Sequence, residues 1–335
     1  TALVENLTVI RGVGHLVLAL NVVEGEDFCR QTYGVHDRSA VFTNVIRHCY
    51  PIEAKRETGE DGEVLKNAGF SEKRLVGTAM LAPQWIDTIN DVLGWDGFKE
   101  GCYYFMAHMK QYDYVQKKAE IARYTELEPE ELNDGAFDMG WCREVYQRLG
   151  EKRFALLYQS AKFLCDNSFH TRARKYADAC LGKVAREEWR AQAEEKRNKD
   201  ASNAYCICPL EDDKDLLERY LYVQRFVKET KQYGSQRQAS EKRAAEMAVL
   251  NLARNSRFET VTRLSWMMES ELVGQNAWAL ESQRPGPLTD EGVPAASGTQ
   301  KSGEYELWIE IDGQGDNEIC VRKNGKKQKS IPAAF

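Results

Sequence analysis

Residues 231–255 read KQYGSQRQASEKRAAEMAVLNLARN. The stretch opens with basic and amide side chains around Tyr233 and then becomes an alanine-, methionine- and leucine-rich run. Ala245, Ala248, Val249 and Leu252 recur at the i, i+3/i+4, i+7 spacing that puts them on one face of a helix. Small residues on that face let a neighbouring helix approach closely. The flanking segments carry the same period, Leu216, Tyr220, Val223 and Val227 before it and Val261, Leu264, Met268 and Leu272 after it. The spacing therefore predicts a three-helix unit over 211–272 with the quoted stretch at its centre.

The rest of the chain agrees with a helical fold. None of the eight prolines lies between Pro129 and Pro209 or between Pro209 and Pro285, and proline costs about 3 kcal/mol inside a helix. Val41–Cys49 has helical spacing up to Pro51. The apolar run Leu3–Val23 reads as a helix, being too long for one strand. Glu53–Lys66 is charged and glycine-containing and reads as a loop. Glu126–Asp138 also reads as a loop, from Pro129 and Asn133-Asp134-Gly135. Thr171–Gly182 and Glu187–Lys199 continue the helices, the second so charged that Glu194, Glu195, Lys196, Arg197 and Lys199 read as solvated surface pairs.

An internal repeat spans about 83–109 and 139–165. Trp85, Ile89, Leu93, Gly94 and Phe98 correspond to Trp141, Val145, Leu149, Gly150 and Phe154. In each copy a helix ends at Leu-Gly, where the glycine can take a left-handed conformation, and an aromatic-rich helix follows. Hairpins of this kind stack into arrays. The expected fold is thus mainly α, an irregular helical-repeat, solenoid-like array over 1–282, with a small C-terminal antiparallel β-meander over 304–335. Residues 283–303, rich in Pro, Gly and Ser, read as a linker or exposed loop. Tyr305–Ile311, Glu318–Lys323 and Lys326–Ile331 have strand character, and Asn324-Gly325 is a type I′ hairpin signal.

Composition limits the function classes. The 335 residues carry 42% hydrophobic and 29% charged side chains, a globular profile, and a net charge of −6 makes any nucleic-acid contact a local one. Nine cysteines without framework spacing fit reduced thiols and a cytoplasmic location. No apolar run is long enough to span a membrane. Thr1-Ala2 reads as the edge of a fragment rather than a signal peptide.

Several stretches resemble very large bacterial proteins of the molybdate-metabolism-regulator-like family, which end in a domain of unknown function. These are Ala82–Ile86, Leu93–Met109, Glu131–Asp138, Tyr233–Lys242 and Asn324–Pro332. The resemblance covers most of 37–332 and implies a helical region just upstream of that further domain. It implies no catalytic residue.

No reaction motif stands out. The five histidines lie outside metal-ligand spacings, so only His48-Cys49 and Cys206/Cys208 are metal candidates, and both read as packing. Gly12-Val-Gly14 lacks a phosphate-loop pattern. Glu131–Asp138 with Tyr103/Tyr104 is the best alternative pocket, although a rigid turn explains it more simply. No catalytic residue, cofactor or metal is therefore expected. The clearest binding cluster is Lys228, Lys231, Gln232, Tyr233, Gln236, Arg237, Lys242 and Arg243, since lysine and arginine displace phosphate counterions and amides hydrogen-bond. A second basic group, Arg322, Lys323, Lys326, Lys327 and Lys329, lies on the hairpin. The expected function is a scaffold or protein-interaction segment, with proteins or other domains of a longer chain as partners. Nucleic-acid or polyanion binding through 228–243 is the alternative, and an uncharacterised enzyme the second.

Overall fold

The computed structural model describes residues 8–30, 37–110, 117–275, 285–288, 294–296, 300–302, 304–311 and 317–328. The chain is mainly helical, and its contacts divide it into two compact units, Thr1–Val261 and Thr262–Phe335.

The first unit opens with β1 (Ile10–Arg11) and α1 (Val13–Val22), then α2 (Arg38–Arg47) and β2 (Cys49–Tyr50). Leu3–Val23 is thus not helical throughout: Gly12, at φ 105°, separates β1 from the helix. β1 and β2 pair in parallel, Ile10 opposite Cys49. Asp37 caps α2 by accepting from the Ala40 amide at 2.7 Å.

The Glu53–Lys66 region, read as a loop, forms α3 (Glu53–Glu57) and α4 (Glu60–Asn67) instead. Its Glu, Lys and Arg are good helix formers, and the left-handed Gly59 sits between the two helices. α5 (Glu72–Leu81), capped by Ser71, leads through a 3₁₀ turn at Pro83–Trp85 into α6 (Ile86–Leu93) and α7 (Phe98–His108). After α8 (Lys118–Ile121), the second stretch read as loop also holds a helix, α9 (Pro129–Asp134). Proline at its first turn and a Glu128/Glu131 capping box start it, and Gly135 ends it.

α10 (Met139–Ser160) is followed by a 3₁₀ turn at Ala161–Leu164, α11 (His170–Cys180), α12 (Arg186–Lys196), α13 (Lys199–Ile207), α14 (Asp213–Glu229), a 3₁₀ turn at Thr230–Gln232 and α15 (Ser235–Asn255). The repeat copies break where expected, but differently. Gly94 takes the left-handed conformation after α6. Gly150, at φ 71° and ψ 165°, interrupts α10 without ending it. The copies pack on each other, with Gly101 of α7 so close to Val145, Leu149 and Leu157 that a Cβ would sit 3.0–3.2 Å from their side chains. Tyr103 and Tyr104 are buried in this core, where Tyr104 meets Phe137 and Trp141 edge to face. Both pack as core residues.

α14 and α15 pack together, joined by α13 rather than by the predicted third segment, which from Thr262 on belongs to the second unit; Leu216, Tyr220, Val223, Ala245, Ala248 and Leu252 are all buried. α12 is less solvated than its charge suggested, since Trp189 and Ala193 are buried.

The second unit contains α16 (Val261–Gln275) and the strands β3 (Pro285–Leu288), β4 (Pro294–Ala296), β5 (Gln300–Ser302), β6 (Tyr305–Ile311), β7 (Asn317–Lys323) and β8 (Lys326–Gln328). β6, β7 and β8 form the expected antiparallel meander, which β5 extends along β6. Asn324 and Gly325 have φ of 47° and 81°, the two positive values a type I′ turn requires. The 283–303 stretch, read as a linker, lies partly outside the described residues; its described parts are β3, β4 and β5, and β3 pairs with β4.

Candidate functional site

The predicted binding residues surround the reversal between α14 and α15. α14 ends where the Thr230 hydroxyl donates to the Val227 carbonyl at 2.8 Å. Tyr233 is extended, and Gly234 starts α15. The Gln238 side chain donates to the Tyr233 carbonyl at 2.6 Å and fixes the corner.

At the centre lies a carboxylate outside the predicted set. Glu241 is buried and accepts from Arg237 Nε at 2.8 Å and from Arg197 Nη2 at 2.8 Å. Burial works to raise its pKa, but the bonds from Arg197 and Arg237 outweigh it and hold the carboxyl below its ordinary range. Arg197 also donates to the Phe226 carbonyl at 3.0 Å and to Glu229 at 2.6 Å, with its guanidinium 4.1 Å over the Phe226 ring. Burial would lower its pKa, and the Glu241 bond reverses that to a raised one. Arg197 is therefore no solvated surface charge. It sits at φ 45°, a left-handed conformation uncommon outside glycine, which these contacts hold in place.

The eight predicted residues divide. Arg237 stacks 3.6 Å over the Tyr233 ring and is ion-paired. Arg243 pairs with Asp134 at 2.7 Å and Glu246 at 3.0 Å. Lys228, Lys231, Gln232, Gln236 and Lys242 are exposed. Gln236 and Arg237 join Arg197, Lys199, Ser240 and Glu241 around an open hollow of about 480 Å³. Of the hairpin cations, Arg322 pairs with Glu306 and Lys323 with Glu304 at 3.3 Å. Lys329 lies outside the described residues. The Arg237–Glu241 pair was open to sequence reasoning as an i,i+4 pair of opposite charge. Arg197 was not, because only the fold brings it there.

Other polar groups on the same helices bind backbone. Asn251, fully buried, accepts from the Phe137 amide at 2.8 Å and donates to the Gly135 carbonyl at 3.0 Å and to Asn203 Oδ1 at 2.8 Å. Arg172 donates to the carbonyls of His108, Met109, Leu132 and Asn133, at the ends of α7 and α9. Arg219 holds Asp215 and the carbonyls of Tyr205, Cys208 and Pro209.

The metal candidates serve packing as well. His48 Nδ1 lies 2.9 Å from the Asn44 carbonyl. Burial pushes the Cys49 and Cys208 thiols up to about 11 and Cys206 up to about 12. Among the described residues, no three His, Cys, Asp or Glu side chains are grouped to hold a metal ion. Nor is any helix among them long and apolar enough to cross a membrane.

Compared with known proteins, residues 1–268 match the model of a family of unknown function, DUF5724. The chain belongs to DUF5724. The DUF5724 match spans the whole first compact unit and runs into α16. No curated protein and no solved structure matches the chain.

Proposed function

We propose that this DUF5724 chain is a non-catalytic scaffold and protein-interaction segment of a longer, cytoplasmic, multidomain bacterial protein of the molybdate-metabolism-regulator-like kind. The observation that carries the reading is the outer face of α16. Trp266 is 68% exposed and Val273 55%, opposite the buried Leu264 and Met268, and Met267 on the flank is 57% exposed. Tryptophan and methionine are enriched where partners meet. Burying a tryptophan left this open is worth about 3 kcal/mol. The solenoid-like arrangement belongs to the same reading, supported by the matched hairpins at 83–109 and 139–165. A photo-crosslinker at position 266 of the longer protein tests it. It is expected to join another protein, or another domain of the same chain, at defined positions, and Met267→Ser with Val273→Ser is expected to abolish the product. Crosslinks no more defined than those from a control at exposed Leu221 refute it.

A second reading is polyanion or nucleic-acid binding at the α14–α15 corner. It is favoured by the exposure of Lys228, Lys231, Gln232, Gln236 and Lys242 beside the Arg197–Arg237 hollow. Against it, Arg237 and Arg243 already hold carboxylates. Fluorescence anisotropy with DNA and RNA across salt tests this reading. Absent or salt-insensitive binding removes it.

A further inference from the structure

A cavity so far left without a role lies elsewhere in the first unit. It is a half-open cleft with a volume of about 820 Å³, lined by the loop after α1, the first two turns of α5 and the end of α10. That volume falls within the range of small-molecule sites, about 300–1,000 Å³. Its apolar wall is aromatic: Phe28 and Phe163 meet edge to face with centroids 5.3 Å apart, and half-buried Phe70 stands nearby.

Its cations are Lys73, Arg74, Lys162 and Arg174. Asp27 is the acid in contact with the lysines, at 3.3 Å from Lys162 and 3.9 Å from Lys73, and like Glu24 and Glu26 it is exposed to solvent. Arg74 differs from the lysines. Its guanidinium lies 4.7 Å over the Phe28 ring, and Nη2 donates to the carbonyls of Val23 at 3.0 Å and Glu26 at 2.7 Å. Among the described residues these are its only side-chain hydrogen bonds, and it forms no ion pair. Burial lowers its pKa, opposed at longer range by Asp27, Glu24 and Glu26. A half-buried guanidinium with donors to spare, on a phenylalanine wall, recognises a planar anion.

We propose that this cavity binds a small organic anion bearing an aromatic ring, its carboxylate or phosphate on Arg74 and Lys162 and its ring against Phe28, Phe70 and Phe163. The cavity is remote in sequence from α16, so this proposal and the interaction reading stand or fall separately.

Calorimetric titration of the whole chain with four probes tests it: phenyl phosphate, benzoate, inorganic phosphate and benzyl alcohol. Saturable binding of phenyl phosphate, benzoate or both is expected, and which of them binds identifies the anion. Inorganic phosphate and benzyl alcohol, each holding half of the recognition, are expected to bind at least about tenfold more weakly. Arg74→Gln and Lys162→Gln are each expected to weaken the ring-bearing anion by about tenfold, and a change at exposed Arg123, Arg123→Gln, to leave it unchanged. Should Arg74→Gln unfold the loop that Arg74 ties down, Lys162→Gln decides. The proposal is overturned if neither ring-bearing anion saturates, if inorganic phosphate binds as well as they do, or if Lys162→Gln binds like the unaltered chain.

Discussion

Replacing Asn251 by alanine removes three hydrogen bonds from a side chain with no solvent exposure. Three groups lose their partner: the Phe137 amide at 2.8 Å, the Gly135 carbonyl at 3.0 Å and Asn203 Oδ1 at 2.8 Å. Asn203 cannot compensate by turning its amide over, because its Nδ2 already donates to the carbonyls of Lys199 at 3.1 Å and Ala244 at 3.3 Å. A buried polar group left unpaired costs about 1–3 kcal/mol. Partial relaxation keeps three from adding fully, so Asn251→Ala is expected to cost about 3–5 kcal/mol. In a unit of this size that lowers Tm by about 6–10 °C. Urea unfolding followed by circular dichroism should show a lower midpoint at an unchanged slope.

Asn251→Asp separates hydrogen bonding from volume, because it is isosteric. One oxygen still accepts from Phe137, but the other faces the Gly135 carbonyl and Asn203 Oδ1. The introduced carboxyl therefore has a folded pKa raised above its unfolded value. Its destabilisation is full at neutral pH and diminishes relative to the unaltered chain as pH falls through the folded pKa. Asn255→Ala, one turn on, is the milder control: Asn255 is half-buried and donates to the carbonyls of Cys206, Ile207 and Cys208, a loss of about 1 kcal/mol. A cost below about 1 kcal/mol for Asn251→Ala, or an Asn251→Asp chain as stable as the original at neutral pH, refutes the reasoning.

Arg172→Met keeps much of the side chain's bulk but strips four carbonyls of their donor, and is expected to cost about 3–5 kcal/mol in the same urea assay. His108 gives a pH signature: burial pushes its pKa down to about 4. Its Nδ1 bonds the Tyr104 carbonyl while Nε2 accepts the Asp138 amide at 3.2 Å, so the neutral ring is the one that fits. The unfolded chain binds that proton near pH 6.5, so stability is full above that value and is lost as pH falls towards about 4. His170, also lowered to about 4 by burial and the nearby Arg174, adds to the same window. Tm measured from pH 8 to 5 should fall below about 6.5, and less steeply in His108→Gln.

What the sequence made legible were features whose partners are close along the chain. The apolar stripes of α14 and α15 are visible because a helix returns to the same face every few residues. Gly94 and Asn324-Gly325 are visible because a positive φ limits the residue types that fit. Glu53–Lys66 was misread because charge and glycine outweighed helix propensity there, although Gly59 marks only the break between two helices. In the candidate site, the i,i+4 geometry of Arg237 and Glu241 is local, and its third member, Arg197, is not. Three of the eight predicted residues, Lys228, Lys231 and Lys242, are charged side chains left exposed, and Tyr233 contributes a ring face to Arg237 rather than its hydroxyl.

The deeper illegibility concerns buried polar residues, and it follows from how this fold ends its helices. Each helix leaves its last carbonyls without internal partners. A buried helix end must find donors elsewhere, and here they come from remote positions: Arg172 for α7 and α9, Asn255 and Arg219 for α13. Periodicity scores such residues as polar interruptions of an apolar face, or as surface charge. Asn251 illustrates this, standing on the buried side of α15 between Ala248 and Leu252. Its acceptor and donor lie in a turn more than a hundred positions away, separated from it by 114 and 116 residues. Hydrophobic stripes alone would let α15 slide by a turn against α13 at modest cost, because one alanine resembles the next. The amide permits one register, in which Gly135, Phe137 and Asn203 are all satisfied together. The apolar face of 231–255 thus supplies attraction, and the asparagines and Glu241 on the same helix supply position.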